Sequence, residues 1–206
     1  ELVDSNPLIW RRVIIPADVT FKRLHDTIQF SMDWWDRHLY EFEFPQEKLR
    51  ITNDEEAYEE FKFYQKKYKD KALTKRNDPH GMIAHILETT IRQPQTIKID
   101  RYLEEYKVIT YVYDFGDNWQ HKIELEKIID DYEFGYPTIL EGDGACPPED
   151  VGGIPGYEEF LRVWNDQEDA EHEEMRQWGE NQYYRPFDIA FRNNLLKTCL
   201  KIKKVK

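Results

Sequence analysis

Two short stretches concentrate side chains able to do chemistry. In "YDFGDNWQH", Tyr113 to His121, two carboxylates and an imidazole stand among aromatic rings. Asp114 and Asp117 are separated by two residues across a tight turn, so both can aim at one point. Asp and His together can hold a metal ion or pass a proton. In "GDGACPPEDVGG", Gly142 to Gly153, glycines and prolines fix an unusual backbone path around Cys146, Glu149 and Asp150. That loop has no Gly-Lys-Ser/Thr, and its acids would repel phosphate. Carboxylates on a stiff loop suit a divalent cation instead, although the spacing matches no EF-hand or zinc pattern. Structural roles compete at each position. Asp in a turn caps backbone N–H groups, a lone His on an apolar face is satisfied within a core, and Glu149 or Asp150 can cap a helix beginning near Pro155. Cys146, with no second cysteine nearby, reads as a buried inert thiol. A third group, Asp169, His172 and Glu173, has helical spacing but lacks the order of zinc proteases, and reads as a solvated acidic face.

The elements that position these residues are legible from periodicity. Leu8 to Pro16 is a strand. Thr20 caps a helix ending near Met32, with Phe21, Leu24 and Ile28 on one face. Tyr40, Phe42 and Phe44 alternate with Glu41 and Glu43, a strand with one wet face. A second helix runs from about Asp54 to Lys71, with acids in its first turn, lysines in its last and a core stripe of Tyr58, Phe61, Tyr64 and Tyr68. The stretch between Pro79 and Pro94 is a short helix. Tyr106 to Phe115 and Trp119 to Ile128 form a long hairpin, spanning about 106–128. Its second strand alternates cleanly, with Trp119, His121, Ile123 and Leu125 on the apolar face. Two registers fit: a two-residue loop with Asp114 opposite Trp119, or a three-residue loop with a bulge that pairs Phe115 with Trp119 and turns Asp114 to the other face. Two helices follow, the first lined by Phe160, Leu161 and Trp164, the second stopped by Gly179. A final helix is capped at Asp188, with Ile189, Phe191 and Leu195 as contacts. The basic tail, 197–206, is expected to fray. This order predicts one α+β domain over residues 1–206, with a mostly antiparallel sheet, helices packed on it and a helical C-terminal part.

The 206 residues carry a net charge of −12, which excludes a general binder of nucleic-acid backbone. Charge is segregated: Lys62 to Arg76 is basic and Glu141 to Glu174 strongly acidic. These are two solvated faces, or else the acidic third surrounds a cation or receives a basic partner. Aromatics make up 15% of the chain, enough bulk for a core despite few aliphatic residues. No run approaches the roughly 18 apolar residues of a membrane span. With two distant cysteines and no signal-peptide pattern, a reducing cytoplasm is the expected compartment.

"IWRRV", "LHDTIQFSMDWWDRHLYEF", "YVYDFGDNWQHKIELEKI" and "CPPEDVGGIPGYEEFL", in this order, resemble the family named after the third open reading frame of the root-inducing plasmid pRiA4b. The resemblance runs from about residue 8 to 196. It implies an α+β domain found in bacteria and archaea, including on plasmids and mobile elements, and assigns no activity. Carried over by position, its hallmark residues are Tyr113, Asp114, Phe115, Gly116, Asp117, Trp119 and His121 in the hairpin. In the loop they are Cys146, Pro147, Pro148, Glu149, Asp150, Gly152 and Gly153, and early in the chain Trp10, Arg11, Leu24, His25, Trp35 and His38. Many relatives have a second cysteine where this chain has Val151, so a thiolate pair is impossible here.

The leading expectation is a binding module whose groove lies between hairpin tip and loop. Tyr113 and Trp119 would give apolar contact, and Asp114, Asp117, His121, Cys146, Glu149 and Asp150 would select a basic protein or cationic ligand. The alternative is a metal-dependent hydrolase with a divalent ion on Asp114, Asp117, His121 and Glu149. A third reading is an acidic protein that mimics nucleic acid or partners a nucleic-acid enzyme. Whether His25 and His38 reach the same site is left open by the sequence.

Overall fold

A computed structural model describes residues 1–68, 78 and 80–201. Its centre is a five-stranded sheet in the order β4-β3-β2-β5-β6. Here β2 is Tyr40–Phe44, β3 Leu49–Thr52, β4 Thr90–Arg92, β5 Val108–Tyr113 and β6 Trp119–Glu124. All pairings are antiparallel except β3 with β4. A separate antiparallel ribbon joins β1 (Trp10–Ile14) to β7 (Thr138–Asp143). The fold is thus α+β with a mostly antiparallel sheet. Residues 1–3 run beside β6: Val3 N–H donates to Gln120 and Lys122 N–H to Glu1, which covers that sheet edge.

Alternation in the strands builds the core. Tyr40, Phe42 and Phe44 of β2 are fully buried, as are Tyr111, Tyr113 and Trp119 across the sheet. Each side chain of this size stabilises the fold by about 1.5–3 kcal/mol on burial. Helix α1 (Phe21–Met32) lays Phe21, Leu24 and His25 on this face, and its N-cap Thr20 accepts from Arg23 N–H. Phe21 packs against the Phe42 ring at 4.8 Å. Glu41, on the opposite face of β2, is also buried, ion-paired to Arg50 of β3.

The remaining helices are α2 (Glu55–Lys67), α3 (Met82–Glu88), α4 (Asp100–Tyr106), α5 (Gly153–Asn165), α6 (His172–Asn181) and α7 (Ile189–Cys199). Asp54 caps α2, accepting from Ala57 N–H, and Asp188 caps α7, accepting from Phe191 N–H. Helix α7 packs on β7 and α1 through Leu196 and Leu200, which are buried, whereas Ile189 and Phe191 are exposed. On α2 only Phe61 of the aromatic stripe is buried. The expected extension of α2 to Lys71, most of the basic stretch beyond Tyr68 and the end of the basic tail lie outside the described residues.

Several elements depart from the periodicity reading. The segment between Pro79 and Pro94 is helical only to Glu88, where the β-branched run Thr89–Ile91 turns into β4. Strand β3 and helix α4 are too short to show a clear period, and β7, Thr138–Asp143, is disguised by its Gly and Asp. The hairpin takes neither predicted register: Tyr113 pairs with Trp119, leaving residues 114–118 as its loop. Asp114 and Asn118 adopt left-handed backbone there, at φ 56° and 55°, and Asn118 N–H closes onto Asp114 O. The faces nonetheless follow the bulged register, with Tyr113, Trp119 and His121 on one side.

Gly179 does not stop α6, which continues to Asn181. It is a point of close approach: a Cβ there would stand 2.5 Å from the Trp164 ring and 3.0 Å from that of Phe160, both on α5. Gly179→Ala is therefore expected to destabilise the protein by about 1–3 kcal/mol through overpacking. Urea denaturation of wild type and variant checks this, and an unchanged midpoint would show that α5 and α6 separate freely.

Candidate metal centre between the hairpin and the Cys-Pro-Pro-Glu-Asp loop

Three segments meet at one buried carboxylate. Glu149 Oε1 accepts from the Trp35 N–H at 2.9 Å and from the Tyr113 hydroxyl at 3.1 Å. The Tyr113 oxygen in turn accepts from Arg37 N–H at 3.1 Å. Trp34 Nε1–H donates to Pro147 O, so the loop 33–39 and the Pro-Pro segment are joined twice. Burial raises the Glu149 pKa, opposed by the Trp35 N–H and the Tyr113 hydroxyl. Tyr113 is pushed well above its ordinary value by burial and by the Glu149 carboxylate, so it stays a donor.

The hairpin loop meets the same segment. Asp117 Oδ2 accepts from Gly152 N–H at 3.1 Å. Gly153 at φ 69° approaches so closely that a Cβ would lie 2.6 Å from the Asp117 carbonyl oxygen. Helix α5 therefore starts on Gly152 with no side-chain cap, and neither Glu149 nor Asp150 serves as one. Asp114 is held by its own N–H, which donates to Leu39 O, and by Oδ1, which accepts from Gly116 N–H. Its Oδ2 points elsewhere.

It points at His38. The His38 Nε2 atom is buried, forms no hydrogen bond among the described residues, and faces three carboxylates. Asp150 Oδ1 lies at 3.4 Å, Glu149 Oε2 at 3.5 Å and Asp114 Oδ2 at 3.7 Å. Oxygen and nitrogen ligands each about 2.1 Å from a common ion stand roughly 3.0–3.5 Å apart at octahedral to tetrahedral angles. The spacing therefore fits groups arranged around a cation better than groups bonded to each other. Asp150 adopts left-handed backbone, φ 58°, and keeps its carboxylate largely in solvent, so the site is open on that side.

A second cluster makes the contrast plain. His25, Asp26 and Asp36 also converge, but there the atoms bond directly. His25 Nε2 lies 2.7 Å from Asp36, His25 Nδ1 lies 2.8 Å from the Tyr111 hydroxyl, and Lys22 Nζ bridges Asp26 and Asp36 at 2.6 and 3.1 Å. An ammonium already fills the cation position. His25 thus belongs to a separate network.

Of the predicted site residues, Asp114, Glu149 and Asp150 come together, and Asp117 supports them from the loop. His121 does not reach them. It lies on the core face of β6, where Nδ1–H donates to Trp119 O at 3.1 Å, and its edge meets Trp34. The imidazole that does face these carboxylates is that of His38. Tyr113 and Trp119 are fully buried and offer no contact surface; exposed aromatic rings beside the site are Phe115 and Trp35, the latter stacked on Tyr183 at 5.3 Å. The Cys146 thiol lies beyond the loop, in a crevice with Arg11, Asp33 and Arg192, and burial raises its pKa well above the ordinary value. The chain also turns His172 away, onto Val163 O, while Asp169 pairs with Arg162. The family resemblance singles out His38 without placing it; the β2–β5 register, which sets Tyr40 opposite Tyr113, carries it alongside Asp114.

A sequence model of plasmid pRiA4b ORF-3-like proteins matches residues 1–194. The chain belongs to this family. It is 30% identical over 178 residues to the uncharacterized protein y4hQ of Sinorhizobium fredii, covering 86% of this chain and 77% of that one. The crystal structure of the protein of unknown function MM3350 from Methanosarcina mazei Go1 is 34% identical and superposes with a TM-score of 0.67 over 92% of each chain. This family member has no helix among its described residues long and apolar enough to cross a membrane.

Burial drives the His121 imidazole down to about 3 from an ordinary value of 6.5. Folded His121 is therefore neutral, and only the unfolded chain takes up its proton as pH falls below about 6.5. The stability it contributes is complete above that pH and is lost progressively toward pH 3. Between pH 7 and 5 the loss is about 2 kcal/mol. His121→Gln should flatten the pH dependence of urea stability by that amount over this range; parallel curves would contradict the buried neutral state.

Proposed function

We propose that the chain is a divalent-cation-binding protein, with the ion held by His38, Asp114 and Asp150, whose ligand atoms all lie within 4.8 Å of one another, and with the Glu149 carboxylate beside them. The observation that carries this reading is the unbonded, buried His38 Nε2 facing three carboxylate oxygens at 3.4–3.7 Å. One imidazole with carboxylates suits zinc, manganese or iron(II) rather than the softer thiolate-selected ions. The cationic ligand that the acidic loop selects is, on this reading, the ion itself.

Metal-assisted hydrolysis is a second reading, favoured by the exposed Asp150 edge. An ion bound there keeps coordination positions for water, and Trp35 with the Arg37 guanidinium 4.7 Å over its ring supplies an adjacent surface for a substrate.

Elemental analysis of purified protein, followed by titration of metal-stripped protein with zinc and manganese, tests the proposal. The expected result is one ion per chain, lost in His38→Ala and weakened at least about tenfold in Asp150→Asn, with His85→Ala unchanged. No binding by folded wild-type protein, or equal binding by His38→Ala, would remove the ion from the account.

A further inference from the structure

On the other side of the loop 33–39 lies a cleft of about 210 Å³ that the metal site does not use. Its walls include Lys22 of α1, Asp36 of the loop, Tyr40 of β2, Asn53 and Glu55 at the start of α2, and Gln93. The volume equals that of about seven waters, enough for a side-chain-sized solute.

The lining is polar, and one member is anomalous. Tyr40 is fully buried, with its ring stacked on His25 at 3.6 Å, yet its hydroxyl makes no hydrogen bond among the described residues. Buried tyrosine hydroxyls ordinarily find partners, and leaving one unpaired carries a desolvation cost. Nothing in the fold requires the oxygen: Phe would stack on His25 equally well. The charges around it are unequal. Lys22 is already matched by Asp26 and Asp36. Asp54 and Glu55 form no ion pair among the described residues, and the Gln93 amide oxygen adds a further acceptor. Asn53 Oδ1 is itself occupied by Tyr40 N–H, which fixes the asparagine against the strand.

We infer that this cleft binds an organic cation bearing several N–H donors, a guanidinium or primary ammonium group, with the Tyr40 hydroxyl oxygen and the Glu55 carboxylate among its acceptors. A metal ion is the wrong occupant, because Lys22 Nζ already bridges the carboxylates that would hold it. A phosphate or carboxylate ligand would meet the excess acids. The cation can be a free small molecule or an arginine or lysine side chain presented by a protein, and both share this chemistry.

Titration calorimetry and heteronuclear NMR with agmatine, the tripeptide Gly-Arg-Gly, glucose and inorganic phosphate as probes test the inference. Agmatine is expected to bind in the millimolar range or tighter, with shifts at Tyr40 and Glu55, and glucose and phosphate are not. Tyr40→Phe should weaken agmatine about three- to tenfold without lowering the melting temperature, since the hydroxyl supports nothing internal. Glu55→Gln should weaken it as well, and His38→Ala should leave it unchanged, separating this cleft from the metal site. Tripeptide binding as strong as agmatine supports a protein side chain as the source, and agmatine binding alone supports a free amine. Absence of agmatine binding by wild type at about 10 mM, equal binding by Tyr40→Phe, or a preference for phosphate would each overturn the inference.

Discussion

The Glu149 carboxylate is the constraint on which the site depends. It is buried, and it accepts from the backbone of the loop 33–39 and from the last residue of β5. Without those donors a carboxylate in this position would be strongly unfavourable. With them, it holds together segments separated by more than a hundred residues in the chain. His38, Asp114 and Asp150 then face one another across the segments it joins. The aromatic core beneath provides the rigid floor: Tyr113 lies against Trp34 at 5.0 Å, and Trp34 against Trp119 at 5.8 Å.

The left-handed residues fit this picture. Asp33, Asp36, Asp114, Asn118 and Asp150 all take positive φ, and all lie in the three connecting segments that frame the site or its neighbour. Asp and Asn tolerate this conformation better than bulkier residues. The same residues thus supply both the turn and, at Asp114 and Asp150, the carboxylate. That double use explains why a purely structural reading and a chemical reading competed at Asp114 and Asp150.

Much of the architecture was legible because it rests on local rules. The caps at Thr20 and Asp188 and the alternation in β2 and β6 follow from residue types and spacing, whereas the meeting of the two motif-bearing loops was an expectation that only the tertiary contact of Asp117 with Gly152 supplies. The short elements were not. "LRIT" has too few residues to display a period, and "TILEGD" carries Gly and Asp that disguise a strand formed by pairing with the distant β1. His121 misled for a related reason. Its parity was read correctly, but a core face and a site face look identical until a second strand is set against them. His38, in a loop before a strand, has no periodic signal; the pairing of β2 with β5 sets it beside Asp114.

Asp33, at the head of the framing loop, is gripped by Arg185 and Arg192, which arrive from the far end of the chain. Trp35 likewise leans on Tyr183. The C-terminal helical part is therefore a buttress rather than an appendage. A fragment cut after α6 would retain every candidate ligand and the whole five-stranded sheet, yet lose the brace that orients the segment carrying His38. The bracing of this site thus extends through α7, far beyond the residues that touch it.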